Sequence, residues 1–223
     1  MRPVVVFDVN ETLLDLEPIR VEFERVFGER AVASVWFATL LRLSFVATIT
    51  KDYRPFTELG GAAFDMVAAA RSSNPSPVDR SAVVGAMRSL PAHPDSSPGL
   101  AALADAGFRM AALTNSPLDA ARDQLEAAGL AGYLERIMSV DMVEVFKPAA
   151  AVYRAAAARL AVPANGMLMV AAHDWDVAGA MAAGCRGAFV SRPGMVLSPV
   201  QPKPDIVGTD IEHVAAKIIA AWV

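Results

Sequence analysis

Short, almost wholly apolar runs recur along the chain and alternate with stretches of helical periodicity, and this alternation restricts the fold more than any other feature of the sequence. The runs cover 4–7, 109–113, 137–140, 167–170 and 187–190. Apolar residues on consecutive positions, in segments too short for a helix, are the pattern of strands covered on both faces. Between most of them, 99–106, 118–128, 148–160 and 176–183 repeat apolar residues at helical spacing. Such an order predicts a parallel sheet with helices packed on both sides. The punctuation agrees, since Ser116-Pro117 and Lys147-Pro148 open two of the helices, and Gly107, Gly129 and Gly184 close three.

The alternation fails once, where 19–27, 31–48, 56–72 and 81–89 read as successive amphipathic helices with no strand among them. The expected fold is therefore α/β: a Rossmann-like parallel sheet flanked by helices, built from residues 1–16 and 91–223, with an inserted all-helical cap subdomain at 17–90. Ser72-Ser73-Asn74-Pro75-Ser76-Pro77 is expected as a loop between cap helices. The Pro-rich stretch 91–98 is expected as the return to the core.

A chain of 223 residues suffices for such a core and an inserted module. It is 54% hydrophobic, with a mean hydropathy of +0.37, but a charge, Pro or Gly interrupts each apolar run short of the ~18 residues a membrane span needs. No membrane association is expected. Met1-Arg2-Pro3 leads straight into the first strand, leaving no room for a signal peptide, so a cytoplasmic location is the expectation. The single cysteine, Cys185, excludes an intrachain disulfide and reads as a structural residue. A net charge of -4 with no basic stripe argues against nucleic-acid binding.

The first run delivers Asp8 to a strand end, where open α/β sheets bind ligands. Other strand ends bring polar groups to the same edge: Leu113-Thr114-Asn115-Ser116, Lys147 before Pro148, and His173-Asp174-Trp175-Asp176. Position 10 is an amide and not a second carboxylate.

Together, Phe7-Asp8-Val9-Asn10-Glu11-Thr12-Leu13, Leu113-Thr114-Asn115, Lys147-Pro148 with Tyr153, and Trp175-Asp176 ahead of Ala182-Ala183-Gly184 resemble the motifs of the haloacid dehalogenase superfamily, in its type II (S)-2-haloacid dehalogenase branch. The resemblance spans nearly the whole chain. It implies a hydrolase acting on carbon–halide bonds, in which Asp8 displaces halide from a short 2-haloacid and the resulting aspartyl ester is cleaved by water to a 2-hydroxyacid. It further implies that Lys147 holds the nucleophile, that Thr12 and Thr114 bond carboxylates, and that Asp176 orients Lys147 and helps activate water. Asn115 would join the halide cradle and Tyr153 would be a supporting hydroxyl. Val9, Asn10, Phe37, Leu41, Phe56 and Trp175 would line the substrate pocket. No cofactor is implied; the partners are the 2-haloacid and halide, with a homodimer suggested by family likeness.

Two departures from the superfamily's phosphatases favour this branch. Asn10 stands where those enzymes carry the carboxylate that protonates a leaving alcohol, and an amide has no titrating proton. Ala172 stands where they carry a metal-binding Asp, so no metal is expected. Other departures concern the dehalogenases themselves. Phe37 occupies the position of a cap arginine, and His173 lies within the segment that is Ser-Ser-Asn in that branch. Arg42 lies roughly 140° around the helix from position 37, and Lys51 and Arg54 lie near a helix end. His173 is read as a donor toward the substrate carboxylate or toward the hydrolytic water. A phosphatase or other hydrolase of the superfamily, and a catalytically weak binding protein, are the alternatives.

Overall fold

The structure is a computed structural model and describes residues 2–223. Six strands form one parallel sheet in the order β3-β2-β1-β4-β5-β6: β1 Val4–Phe7, β2 Met110–Thr114, β3 Arg136–Ser139, β4 Met167–Ala171, β5 Arg186–Val190 and β6 Ile206–Gly208. The central strands are buried along their whole length, as their unbroken apolar runs require. Helices α1 Glu17–Phe27, α2 Val32–Thr50, α3 Phe56–Ala70 and α4 Pro77–Ala86 are inserted between β1 and β2; the core helices are α5 Ser96–Asp105, α6 Leu118–Ala127, α7 Ala150–Arg159, α8 Asp174–Ala182 and α9 Ile211–Trp222.

Strand order reverses beside β1, which pairs with β2 on one side and β4 on the other. This is the switch point of an open α/β sheet, where the loops after neighbouring strands part and leave a crevice. Phe7 stands opposite Val170, and the Asp8 N–H continues the ladder onto the Val170 carbonyl at 3.0 Å. Register alone therefore sets the loop after β1 against the loop after β4. At Gly179 in α8 a Cβ would lie 2.4 Å from the Pro148 side chain, so the missing side chain lets α8 close onto the Lys147-Pro148 segment.

Several boundaries differ from those expected. Helix α5 starts at Ser96, inside the expected Pro-rich return, and α8 starts at Asp174, which puts Asp174 and Asp176 in its first turn. Carboxylates are favoured there by the helix dipole. Helix α4 starts at Pro77 behind a reciprocal Ser76–Asp79 cap. Strand β6 and helix α9 were not anticipated, although Ile211, Val214, Ala215 and Ile218 supply a regular apolar stripe.

In helix α2 the apolar run is broken, as expected, by Arg42. The helix is long and apolar enough to cross a membrane by length and composition, with Arg42 its lone charge. Trp36, Leu40, Ser44 and Ala47 are buried on the face that packs inside the cap, and Trp36 Nε1 donates to the Gly60 carbonyl of α3 at 2.9 Å. Two polar contacts tie the far end of the cap to the core: the Phe146 N–H donates to Thr48 Oγ1 at 3.0 Å, and the Tyr53 hydroxyl donates to Asp141.

Candidate active site

Asp8 is 5% exposed, and both of its carboxylate oxygens are occupied by donors. Lys147 Nζ donates to Oδ1 at 2.8 Å; Thr12 Oγ1 donates to Oδ2 at 2.8 Å, and His173 Nδ1 stands 3.0 Å from that same oxygen. Thr12 is itself fixed by the Ala172 N–H, which donates to its hydroxyl at 2.9 Å. The side chain that reads the nucleophile loop is thus pinned to the loop after β4.

Lys147 is 1% exposed and has three acceptors: Asp8, Asp176 Oδ2 at 2.6 Å and the Leu113 carbonyl at 2.9 Å. An ammonium has three donors, so the site satisfies all of them. The Tyr153 hydroxyl donates to Asp176 Oδ1 at 2.6 Å, which fixes the second carboxylate. Buried charge clusters of this kind seldom repay their desolvation in stability. They are more common where chemistry needs them.

The two carboxylates are driven apart in acidity. Burial alone would raise Asp8, but the Lys147 charge and the His173 hydrogen bond reverse that and hold it well below the usual carboxylate range. Burial pushes Asp176 up, against the pull of Lys147 and with help from the negative charge of Asp8. Asp8 is thus the carboxylate held ionised, while Asp176 is the one shifted toward taking up a proton. Lys147 is raised despite its burial, because Asp176 and Asp8 outweigh the loss of solvent. Burial also lifts the Tyr153 phenol well above its ordinary value and keeps it a donor.

Burial would lower the pKa of His173, but its hydrogen bonds to Asp8 and Glu11 reverse the shift and push it up to about 10. Its Nε2 stands 3.1 Å from Glu11 Oε2, so the protonated ring donates at both nitrogens. Phe37 and Trp175 stack on it, with ring centroids 5.9 and 5.1 Å away. Aromatic faces stabilise a cation held between them.

A small chamber of about 10 Å³ opens over Asp8, lined by Asn10, Phe37, Leu41, Phe56, Thr114, Asn115, His173 and Trp175. Free space of that size holds about one water. Val9, expected on the pocket wall, is fully buried in the hydrophobic core and is not part of this lining. Thr114, expected to bond a carboxylate, lines the chamber but uses its hydroxyl to accept the Ser116 N–H at 3.1 Å, because the chain turns sharply after β2. Asn115 Oδ1 accepts the Lys147 N–H at 3.1 Å, which leaves its amide NH₂ as the end available to the chamber.

Asn10 is locked by Ser116 and Gln124: its Nδ2 donates to Ser116 Oγ at 3.2 Å and its Oδ1 accepts from Gln124 Nε2 at 3.3 Å. Among the cap cations, Arg42 lines a separate groove with Val35, Thr39 and Met66, and Arg54 pairs with Asp52 at 3.2 Å on the surface. Lys51 is exposed at the end of α2. None of the three lines the chamber. A larger cavity of about 410 Å³ adjoins it, sharing Phe37, Leu41, His173 and Trp175 as the dividing wall.

A divalent metal does not fit here. Every Asp8 oxygen faces a donor, the side chain at position 10 is an amide already engaged, and position 172 is a methyl group. Among the described residues no group of three or more His, Cys, Asp or Glu side chains is arranged to hold a metal ion. Cys185 is a buried free thiol whose pKa burial pushes up to about 11. His93 is half-buried, and burial lowers its pKa; His213 sits at the start of α9 beside Thr209.

Sequence reasoning assigned no role to Glu11, Ser116 or Gln124. Gln124 left a usable signal: a long amide within the apolar stripe Ala120, Ala121, Leu125 of α6 must find a buried partner. Glu11 left only its place between Asp8 and Thr12.

Comparison with known proteins places these features in context. The family model for haloacid dehalogenase-like hydrolases matches residues 3–184. The chain is 30% identical over 189 residues to (S)-2-haloacid dehalogenase 1 of Pseudomonas sp. (strain CBS-3), covering 84% of this chain and 83% of that protein. It is 27% identical over 191 residues to (S)-2-haloacid dehalogenase 4A of Burkholderia cepacia, covering 85% and 83%. In fold it is similar to the L-2-haloacid dehalogenase of Xanthobacter autotrophicus solved with chloropropionic acid covalently bound, with a TM-score of 0.91 and 23% identity over 100% of both chains.

Proposed function

The chain belongs to the haloacid dehalogenase-like hydrolase family, and from that premise we propose that it hydrolyses short 2-haloacids to 2-hydroxyacids, without a metal, through an ester on Asp8. The observation that carries this reading is the buried Asp8–Lys147–Asp176 group, with Asp8 kept ionised and an amide at position 10.

In the first step an Asp8 oxygen attacks C2 of the acid, and halide leaves with the bonding electron pair. Halide needs no proton to depart, so Asn10 is no handicap. Asn115 offers its amide NH₂ to the departing ion. In the second step water adds to the Asp8 Cγ and gives up a proton to Asp176. Whichever oxygen carries the ester, the other keeps its donors, Lys147 on one side or Thr12 and His173 on the other, and these stabilise the oxyanion. Collapse expels the alkoxide, which takes the proton left on the added oxygen and departs as the 2-hydroxyacid; Asp8 is again a carboxylate, and Asp176 passes its proton to solvent.

With Phe37 in place of the cap arginine, His173 is the cation nearest the acid. It acts on the substrate carboxylate through its charge, since its two N–H groups are held by Asp8 and Glu11. The chamber's apolar Leu41, Phe56 and Trp175 walls favour short acids, haloacetates and 2-halopropanoates. The helical cap subdomain spans 17–90, and the core takes the remainder. A cytoplasmic setting suits the lone buried thiol, and the exposed Val35, Val46 and Ile49 on α2 suit a homodimer.

Halide release from 2-chloropropanoate in the presence of EDTA, abolished by Asp8→Asn, is the expected result. Mg²⁺-dependent phosphate release from phosphomonoesters, with no halide release, would replace this reading with a phosphatase.

A further inference from the structure

Glu11 occupies a position that a side chain disfavours. Its backbone is left-handed, with φ 60, in a loop that has no glycine. That conformation aims the carboxylate inward, where it is only 12% exposed and Oε2 meets His173 Nε2 at 3.1 Å. Its other oxygen, Oε1, lies 3.4 Å from Arg20, which is shared with Asp15 and Glu17 on the outer side. Asp8 and Glu11 come from the same loop, so one rigid segment grips both nitrogens of a ring supplied by a different one.

We propose that Glu11 is a positioning residue that holds the His173 ring as the cationic donor to Asp8 Oδ2 during hydrolysis of the ester. Three features support it. An imidazole whose Nε2 is fixed by an acceptor presents Nδ1–H in one direction, as the orienting carboxylates of catalytic histidines do. Phe37 and Trp175 stack on the ring and contribute no acceptor, so beyond Asp8 its in-plane orientation falls to Glu11. The charged groups around the ring are Asp8 and Glu11 in contact, Lys147 and Asp176 behind Asp8, Arg20 behind Glu11, and Asp174 next along the chain; the α2 side contributes only Phe37. Removing Glu11 therefore removes one of the two anions that keep the ring protonated. His173 transfers no proton in this role: the water proton goes to Asp176, and both imidazolium N–H groups persist.

The inference rests on Asp8 as nucleophile, and its test has an arm independent of turnover. Three histidines make a ¹⁵N-histidine titration of the full chain tractable, with His173 identified by the signal lost in His173→Asn. In the parent protein His173 is expected to stay protonated until about pH 10. Glu11→Gln is expected to titrate at least about one pH unit lower. The alkaline limb of single-turnover ester hydrolysis is expected to move down by the same amount, with ester formation less affected. Should Glu11→Gln not fold, Glu11→Gly removes the carboxylate while easing the left-handed backbone. An unchanged His173 titration overturns the proposal, as does a shifted titration with an unmoved hydrolysis limb. A shifted titration in a protein that releases no halide would retain the Glu11–His173 coupling and overturn the dehalogenase reading and, with it, the catalytic role.

Discussion

The two walls of the reaction chamber are built from opposite chemistry. The core wall, at the strand ends, carries Asp8, Asn115, His173 and the Lys147–Asp176 pair behind them; the cap wall contributes Phe37, Leu41 and Phe56. Recognition of an anionic acid therefore falls to the core, and the cap shapes and dries the space. A cationic group on a loop locked by sheet register is held more firmly than one on a helix that meets the core through a few contacts such as Thr48 and Tyr53. On the proposed reading, the charge that Phe37 does not supply from the cap comes instead from His173 on the core wall.

Substitutions on the two walls should separate them by size of effect. On the core wall, Asp8→Asn is expected to lower the rate of halide release by at least about a thousandfold while leaving the fold intact, because it removes the nucleophile and little volume. Lys147→Met should follow at about a hundredfold or more. It should also cost roughly 3–5 kcal/mol of stability in denaturant titration, since Asp8 and Asp176 are left buried and unpaired. A cap-wall substitution with an equally large effect would break the contrast.

His173→Asn is expected to lower kcat/KM by about one to two decades, the loss of one charge-assisted contact. Phe37→Arg should recover about tenfold of that loss in the His173→Asn background and nothing in the parent, where the imidazolium already fills the role. Equal gains in both backgrounds would mean that the cap and core cations act independently.

Acid and base stability extends the contrast to titration. Asp8 has a lowered folded pKa, so its contribution is present above the ordinary carboxylate value of 3.8 and disappears as pH falls below it. His173, raised to about 10 from 6.5, contributes fully below 6.5 and loses that contribution as pH rises through about 10. Asp176 is shifted upward and subtracts stability as pH climbs from 3.8 toward its folded value, which narrows the acid-side gain. Denaturant midpoints for His173→Asn should accordingly lack the alkaline fall expected of the parent as pH rises toward about 10.

The smallest effect is expected on the cap wall. Leu41→Ala should change KM by a few fold and favour longer 2-haloacids over haloacetate, about 1 kcal/mol of discrimination.

Legibility in the sequence follows the same division. Buried parallel strands write themselves as apolar runs, and strand-end residues inherit their positions from register, so Asp8, Lys147 and Asp176 could be placed together before any coordinates. Strand β6 lacked that signature because Val207 is exposed and prolines precede it. Helix α9 does carry a signature, the apolar stripe Ile211, Val214, Ala215 and Ile218. What could not be read depends on torsions and on distant partners: the sharp turn that commits the Thr114 hydroxyl to Ser116, the left-handed backbone that turns Glu11 onto His173, and the reach of Gln124 across to Asn10. The cap showed its helices, but the stacking of Phe37 on an imidazolium depends on how cap and core meet.

The most direct measurement is a single turnover of 2-chloropropanoate in ¹⁸O-water, followed by mass analysis of the peptide that carries Asp8. One ¹⁸O in Asp8 with an unlabelled hydroxyl in the first product is the expected result, since the ester is cleaved at Cγ. Label in the product hydroxyl with none in Asp8 would mean that water attacks C2 directly, and would contradict the covalent role given to Asp8.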